Sequence, residues 1–264
     1  MATQQKYALI TGATQGIGYE LAKLFVKDGY NLIIIARDQQ QLDSCSAEFR
    51  EQGVEVIPIA CDLFNPDGAR AVCEVVDTKG IFVDVLVNNA GQGVYGKFQD
   101  TDIDRELNIV NLNIGATLIL TKHFLKAMVK RNEGKILNLA SVASKGPGPW
   151  NSVYHGTKAF ILSFSEAIRE ELKDTAITVT ALMPGVTDTD FPNKANMNDS
   201  KLVQDKAAMA SPAEVAKDGY EALMKGEDKV ISGFRNQLQV KMMNMMPDDT
   251  VAAMTAKQQE PVHP

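Results

Sequence analysis

Tyr7-Ala8-Leu9-Ile10-Thr11-Gly12-Ala13-Thr14-Gln15-Gly16-Ile17-Gly18 is the stretch that decides the fold. Its first five residues form a short apolar run ending on a β-branched threonine, which suits a buried strand. Three glycines follow within seven positions, and a helical pattern opens at Gly16. Glycines at such a junction let the backbone turn tightly and approach a pyrophosphate, whose charge suits the N–H groups of the helix N-terminus. Glycine-rich turns are common, and a plain strand-to-helix turn is the alternative. What makes this one informative is its place at the start of a βαβ unit.

Outward from that turn, the alternation continues. Strands are expected at 7–11, 31–36, 55–60, 83–87, 135–140 and 177–182, with a seventh at 229–232. Helical periodicity fills 16–28, 39–52, 66–79, 102–131 and 152–173. Strands apolar on both faces and separated by helices indicate a parallel sheet covered on each side. The expectation is a single α/β domain, a doubly wound Rossmann fold on a seven-stranded parallel sheet, spanning residues 1–240. No internal repeat is evident. The segment 191–210 is polar and breaks the pattern; it leaves the carboxyl end of a strand, where ligands bind in open α/β sheets. It reads as a substrate lid, extending with the next helix to about 225, with an ordinary surface loop as the alternative. That helix is well marked by Ser211, Pro212 and Glu214. Residues 241–264 form a tail whose methionines at 242, 243, 245 and 246 suit packing, with an adaptable apolar flap as the alternative, and whose last residues, 258–264, are expected to be disordered.

The 264 residues are 45% hydrophobic, enough for a large core, and carry a net charge of −6. The acidity and the lack of a basic stripe exclude nucleic acid as an expected partner. No apolar run is long enough to span a bilayer. Met1 to Lys6 lacks the apolar core of a secretory signal. Cys45, Cys61 and Cys73 are odd in number and widely spaced, as in a reduced cytoplasmic protein, and no histidine lies at zinc-ligand spacing from them.

The end of the second strand bears on which dinucleotide is bound. An acid there would bond the ribose hydroxyls and repel a 2′-phosphate. Here Ala36 takes that place, followed by Arg37, whose guanidinium suits a phosphate. Asp38 is better placed to cap the next helix. NADP(H) is therefore preferred, with NAD(H) possible. Asp62, after the third strand, is a candidate to hold the adenine, and Asn88-Asn89-Ala90-Gly91, after the fourth, can line the adenosine side of the cleft.

Tyr154 and Lys158 stand four apart on one helix, one turn above each other. An ammonium close to a phenol favours the phenolate, so the tyrosine's pKa of ~10 is expected to fall toward working pH. Such a phenol can exchange a proton with a substrate oxygen.

Taken together, the Thr11–Gly18 turn, Cys61-Asp62-Leu63, Asn88–Gly91, Asn113, Ser141, Tyr154 with Lys158, and Pro184-Gly185 with Thr189 resemble the short-chain dehydrogenases/reductases. The resemblance covers roughly residues 5 to 235 and points to a broad bacterial oxidoreductase subgroup. It implies that Tyr154 is the general acid, that Ser141 polarises the substrate carbonyl, and that Lys158 lowers the tyrosine's pKa and holds the nicotinamide ribose. It further implies that Asn113 binds a water linking Lys158 to solvent. Gly12, Thr14, Gln15, Gly16, Ile17, Gly18, Arg37, Asp62, Leu63, Asn89, Ala90 and Gly91 would contact the cofactor. Pro184, Gly185, Val186, Thr187 and Thr189 would do so at its nicotinamide end. Asn108 and Asn111 rival Asn113, and Ser144 rivals Ser141. Gln15 stands where many NADPH-preferring members carry a basic residue. The implied activity is hydride transfer between NADP(H) and a ketone, aldehyde or secondary alcohol, in a homodimer or homotetramer paired through the two long helices. A non-catalytic dinucleotide sensor, or an epimerase or dehydratase with retained cofactor, is the alternative on this fold. Gln92, Val94, Tyr95, Gly148, Pro149, Trp150, Phe191 and Met197 are expected near the substrate. His155 is expected to face another side of its helix in a structural role.

Overall fold

The computed structural model describes residues 5–205 and 209–263. Seven parallel strands form one sheet in the order β3-β2-β1-β4-β5-β6-β7. They are β1 (Tyr7–Thr11), β2 (Asn31–Ala36), β3 (Val56–Ala60), β4 (Val85–Asn88), β5 (Gly134–Leu139), β6 (Ile177–Met183) and β7 (Lys229–Ile231). Alternate residues of each strand face opposite layers. In β1 and β2, Leu9, Ile33 and Ile35 pack against helices α3 (Pro66–Thr78) and α5 (Thr117–Arg131). Ala8, Ile10, Leu32 and Ile34 pack against α1 (Gly16–Lys27), α2 (Gln39–Arg50) and α8 (Pro212–Lys225). Two buried faces explain why these strands are continuous apolar runs rather than alternating ones.

The strand order reverses between β1 and β4, which opens a crevice at their carboxyl ends. Asn89 ties the two sides of that crevice together. Its Nδ2 donates to the carbonyls of Thr11 and Gly12, and the Thr11 hydroxyl accepts from the N–H groups of Asn89 and Ala90.

Four sequence expectations change. The expected helix at 102–131 is α4 (Ile103–Val110) and α5 joined by a π-helical turn over Asn111–Ala116. Such a turn holds one residue more than an α-turn and leaves no mark in hydrophobic periodicity. The helix counted with the lid, α8, is a core element: Val215, Ala216, Tyr220 and Leu223 are buried against α1 and the sheet. The segment after β6, expected as a lid, contains the short α7 (Phe191–Lys194) and a 3₁₀ turn at Lys201–Val203. The tail forms α9 (Phe234–Met243), which begins within the expected 1–240 domain, and α10 (Asp248–Gln259). Its expected disordered end is instead seated: Gln259 is buried, and Pro261 bridges Ser200 of the segment after β6. Val251 and Thr255 on one side of α10 are buried, giving the end of the tail a surface to dock on. Residue 264 lies outside the described residues.

Candidate active site

A cavity of about 810 Å³ runs along the carboxyl ends of the strands. Of the expected cofactor residues, Gly12, Thr14, Gln15, Gly16, Ile17, Arg37, Asp62, Leu63, Asn89, Ala90 and Gly91 line it. Pro184, Gly185, Val186, Thr187 and Thr189 line it too, with Thr189 set against Gly16. Gly18 stands behind the turn rather than on it. A Cβ on Gly18 would meet the Gly12 carbonyl oxygen at 2.2 Å, so this glycine permits close helix–turn packing. Gly12 and Gly16 have φ of +67° and +57°, a backbone region that penalises any Cβ.

The residues present fit a dinucleotide. Gln15, at the N-cap of α1, makes no side-chain cap, so the first N–H groups of a twelve-residue helix face the glycine turn without a capping side chain. At the far side, the Arg37 guanidinium lies over the Phe64 ring, 4.8 Å from its centroid, on the surface beside the end of β2. Asp38 caps α2 by accepting from the Gln41 N–H and side chain, so its carboxylate is committed to that helix. Phe64 and Gln41 also line this end. They were missed from sequence, because an aromatic after the third strand carries no signal of the cation above it.

Tyr154, Ser141 and Lys158 meet at the centre of the cavity. The Ser141 side chain acts on the Tyr154 phenol, and its hydroxyl donates to the Pro184 carbonyl at 3.4 Å and accepts from the Ala143 N–H at 3.1 Å. The rival Ser144 is occupied, donating to the Lys158 carbonyl at 2.8 Å. Lys158 is buried; its Nζ donates to the Leu139 carbonyl at 2.6 Å and lies 5.8 Å from the centroid of the Tyr154 ring.

The expected fall in the tyrosine's pKa does not occur in this arrangement. Protein atoms crowd the phenol, and desolvation pushes it up to about 12, with the Ser141 hydrogen bond pulling weakly the other way. Desolvation likewise pulls the Lys158 ammonium down to about 8. Burial disfavours the charged form of both groups. The phenol therefore carries its proton at neutral pH.

Asn113 sits in the π-turn, 2% exposed. Its side chain is spent on protein: Nδ2 donates to the Gln92 carbonyl and the Thr157 hydroxyl, and Oδ1 accepts from the Gln92 N–H. A Cβ on Gly91 would lie 3.3 Å from both Asn113 Oδ1 and Lys158 Nζ, so the two side chains converge on that glycine.

The substrate end differs from its sequence reading. Gln92, Phe191 and Met197 line it as expected. Tyr95 and Trp150 stack on each other as a buttress, and Val94 is buried. His155 lines the cavity and faces Gly148, whose lack of a side chain admits the imidazole. Asn236, Gln239 and Met243 of α9 complete the wall with Thr255, Gln258 and Gln259 at the end of α10. Sequence reasoning missed these residues; they lie in a segment without motif.

A family model described as short chain dehydrogenase matches residues 6–200. Ketoacyl reductase HetN of Nostoc is 30% identical over 227 residues, covering 86% of this chain and 78% of that protein. A structure solved for 7beta-hydroxysteroid dehydrogenase stereoselectivity superposes with a TM-score of 0.85 at 26% identity, covering 95% of this chain and 96% of the other. A short-chain dehydrogenase from Sphingobium yanoikuyae in complex with NADPH gives 0.80 at 27% identity, covering 92% and 96%. The chain belongs to the short-chain dehydrogenase/reductase family, a family of oxidoreductases that use a dinucleotide cofactor.

Proposed function

We propose that this protein reduces ketones or aldehydes, or oxidises the corresponding alcohols, with NADP(H) preferred over NAD(H). The observation that carries the reading is the convergence of Ser141, Tyr154 and Lys158 on one cavity that continues to the glycine turn and Arg37. When bound, the dinucleotide supplies or accepts the hydride. The chain's residues handle position and protons. Ser141 donates to the substrate oxygen and fixes it beside the phenol. Tyr154, protonated at neutral pH, delivers its proton to that oxygen as reduction proceeds, and takes it back in oxidation. Lys158 would hold the nicotinamide ribose hydroxyls. Asn113 acts by holding Gln92 and Thr157 in place around Lys158.

Arg37, at the end of β2 with the adjoining Asp38 carboxylate accepting from Gln41 of α2, supports the NADP(H) preference. The NADPH complex of the Sphingobium relative agrees with it. The relative named ketoacyl reductase supports the carbonyl chemistry. Exposed Ile103, Leu107 and Phe160 on the long helices support pairing into a homo-oligomer. Three free cysteines support a cytoplasmic location. Among the described residues, no helix is long and apolar enough to cross a membrane.

The test is a panel of ketones, aldehydes and alcohols followed at the nicotinamide absorbance with both cofactors. Stoichiometric consumption of NADPH with product formation is the expected result. Binding of NADPH without turnover of any member would mean a sensor. Turnover without net cofactor change would mean an epimerase or dehydratase.

A further inference from the structure

Helices α9 and α10 leave a gap between them. α9 packs on β7 and on the 3₁₀ turn Val142–Lys145 that follows Ser141, while α10 packs on the 3₁₀ turn at Lys201–Val203. Each is held by the body of the protein more closely than by the other. The gap is a cleft of about 40 Å³ beside the main cavity. Gln239, Met243, Thr255 and Gln258 line both spaces, so the two meet at those side chains. Beyond them, Met242, Met246, Val251 and Met254 line the cleft.

The boundary between the two spaces can yield. Met243 is unbranched and adaptable, and the Gln239 and Gln258 side chains have no hydrogen-bond partner among the described residues. Gly146 brings the cleft close to the reacting end. A Cβ on Gly146 would lie 2.5 Å from Val251 Cγ1 and 2.9 Å from Met243 Cε, so the missing side chain lets these two reach that backbone. The Gly146 carbonyl lies 2.9 Å from His155 Nδ1, and the His155 ring centroid is 6.2 Å from that of Tyr154. One imidazole and one glycine thus stand between the phenol and the near side of the cleft.

The lining defines what fits. Four of its eight residues are methionines and none is charged. Met242 and Met254 are 49% and 41% exposed, apolar surface that an occupant would take out of water. A space that holds a benzene ring measures about 150 Å³, so this cleft is too small for a ring system and suits a chain one carbon wide. Flexible thioethers can close on such a chain wherever it lies. In the main cavity, Val186, Phe191, Met197 and Leu202 add further apolar wall.

We propose that the cleft between α9 and α10 is a subsite for the unbranched hydrocarbon tail of an uncharged carbonyl substrate. The carbonyl sits at Ser141 and Tyr154, and the tail crosses Met243 to lie among Met242, Met246 and Met254. This deepens the reductase reading and rests on it.

The experiment uses the full chain loaded with NADP⁺, a series of straight-chain methyl ketones of increasing length, and one fused-ring ketone. Affinity is measured by calorimetry, and turnover with NADPH is measured separately. In the unmodified protein, affinity is expected to rise by about 3-fold per methylene through the longer members. Met254→Trp, which fills the cleft, and Met254→Lys, which puts a charge in it, should each weaken the longest ketones by about 10-fold or more. The fused-ring ketone should bind alike in all three proteins. Met245→Ser, at an 82% exposed position that lines neither space, should keep the full gain with length. No gain with length in the unmodified protein overturns the proposal, as does a gain that survives both Met254 variants. An equal loss for the fused-ring ketone, or a loss of the gain in Met245→Ser, overturns it too. If affinities behave as expected but no ketone is turned over, the chain subsite stands and the reductase reading falls.

Discussion

The two ends of the cavity are built differently. The cofactor end comes from turns directly after β1, β2, β3 and β4, where short-range backbone geometry fixes each group. The end proposed for the substrate is assembled from the segment after β6, α9 and α10, with Gln259 touching His155 across 104 residues and Tyr95 across 164. One end is set by the sheet, the other by where late segments come to rest. Such a division lets one fold keep its cofactor chemistry while its substrate pocket changes.

The largest expected effect lies where the two ends meet. Tyr154→Phe should lower turnover by on the order of 10² or more while leaving NADPH affinity within a few-fold. Comparable turnover in the variant would remove the phenol from the mechanism. A second substitution breaks the cofactor end alone. Gly18→Ala forces a Cβ against the Gly12 carbonyl, and should cost about 1–3 kcal/mol of stability and most of the NADPH affinity. Gly156→Ala on α6 (Ser152–Glu171), where nothing lies within 4 Å, is the control and should stabilise by roughly 0.5–1 kcal/mol. If thermal melts do not separate the two, the close-packing argument at the turn is wrong.

Arg37→Ala should weaken NADPH by about 10-fold, a ~1.4 kcal/mol contact, while leaving NADH nearly unchanged. Equal losses would place the 2′-phosphate elsewhere. The smallest effect concerns Lys158. With its folded pKa pulled from the ordinary 10.5 to about 8, the unfolded chain binds the extra proton between those values. This group's contribution to stability therefore rises with pH across that window, and its full cost is felt below about 8. NADPH affinity should run the other way, falling a few-fold as pH passes 8 and the ammonium loses its charge. In Lys158→Met that inflection should vanish from a fluorescence titration; its persistence would assign it to another group.

Much of the sheet was legible because strands buried on both faces announce themselves as apolar runs. Six of its helices were readable for a similar reason, and Ser211-Pro212 marked the start of α8. The glycine turn, Arg37 and the Ser141–Tyr154–Lys158 spacing pointed to residues that the fold brings to one cavity. Three things were not legible. The shift in the tyrosine's proton affinity depends on how tightly protein surrounds the phenol, which spacing along a helix cannot report. The seating of Gln259 depends on contacts far apart in sequence. The π-turn is a change of backbone phase, and its residues, Asn111 to Ala116, look like any amphipathic helix.

That phase change has a consequence for evolution and for engineering. Downstream of it, Leu120, Phe124 and Met128 present one stripe to the core, while within it the chain delivers Asn113 to Gln92 and Thr157. Each residue of a helix advances the chain by about 100°. Deleting any residue between 111 and 116 would therefore rotate one of these faces away from its target. The polar anchor and the greasy seam are geared together, so this short stretch should tolerate exchanges of letter far better than changes of length.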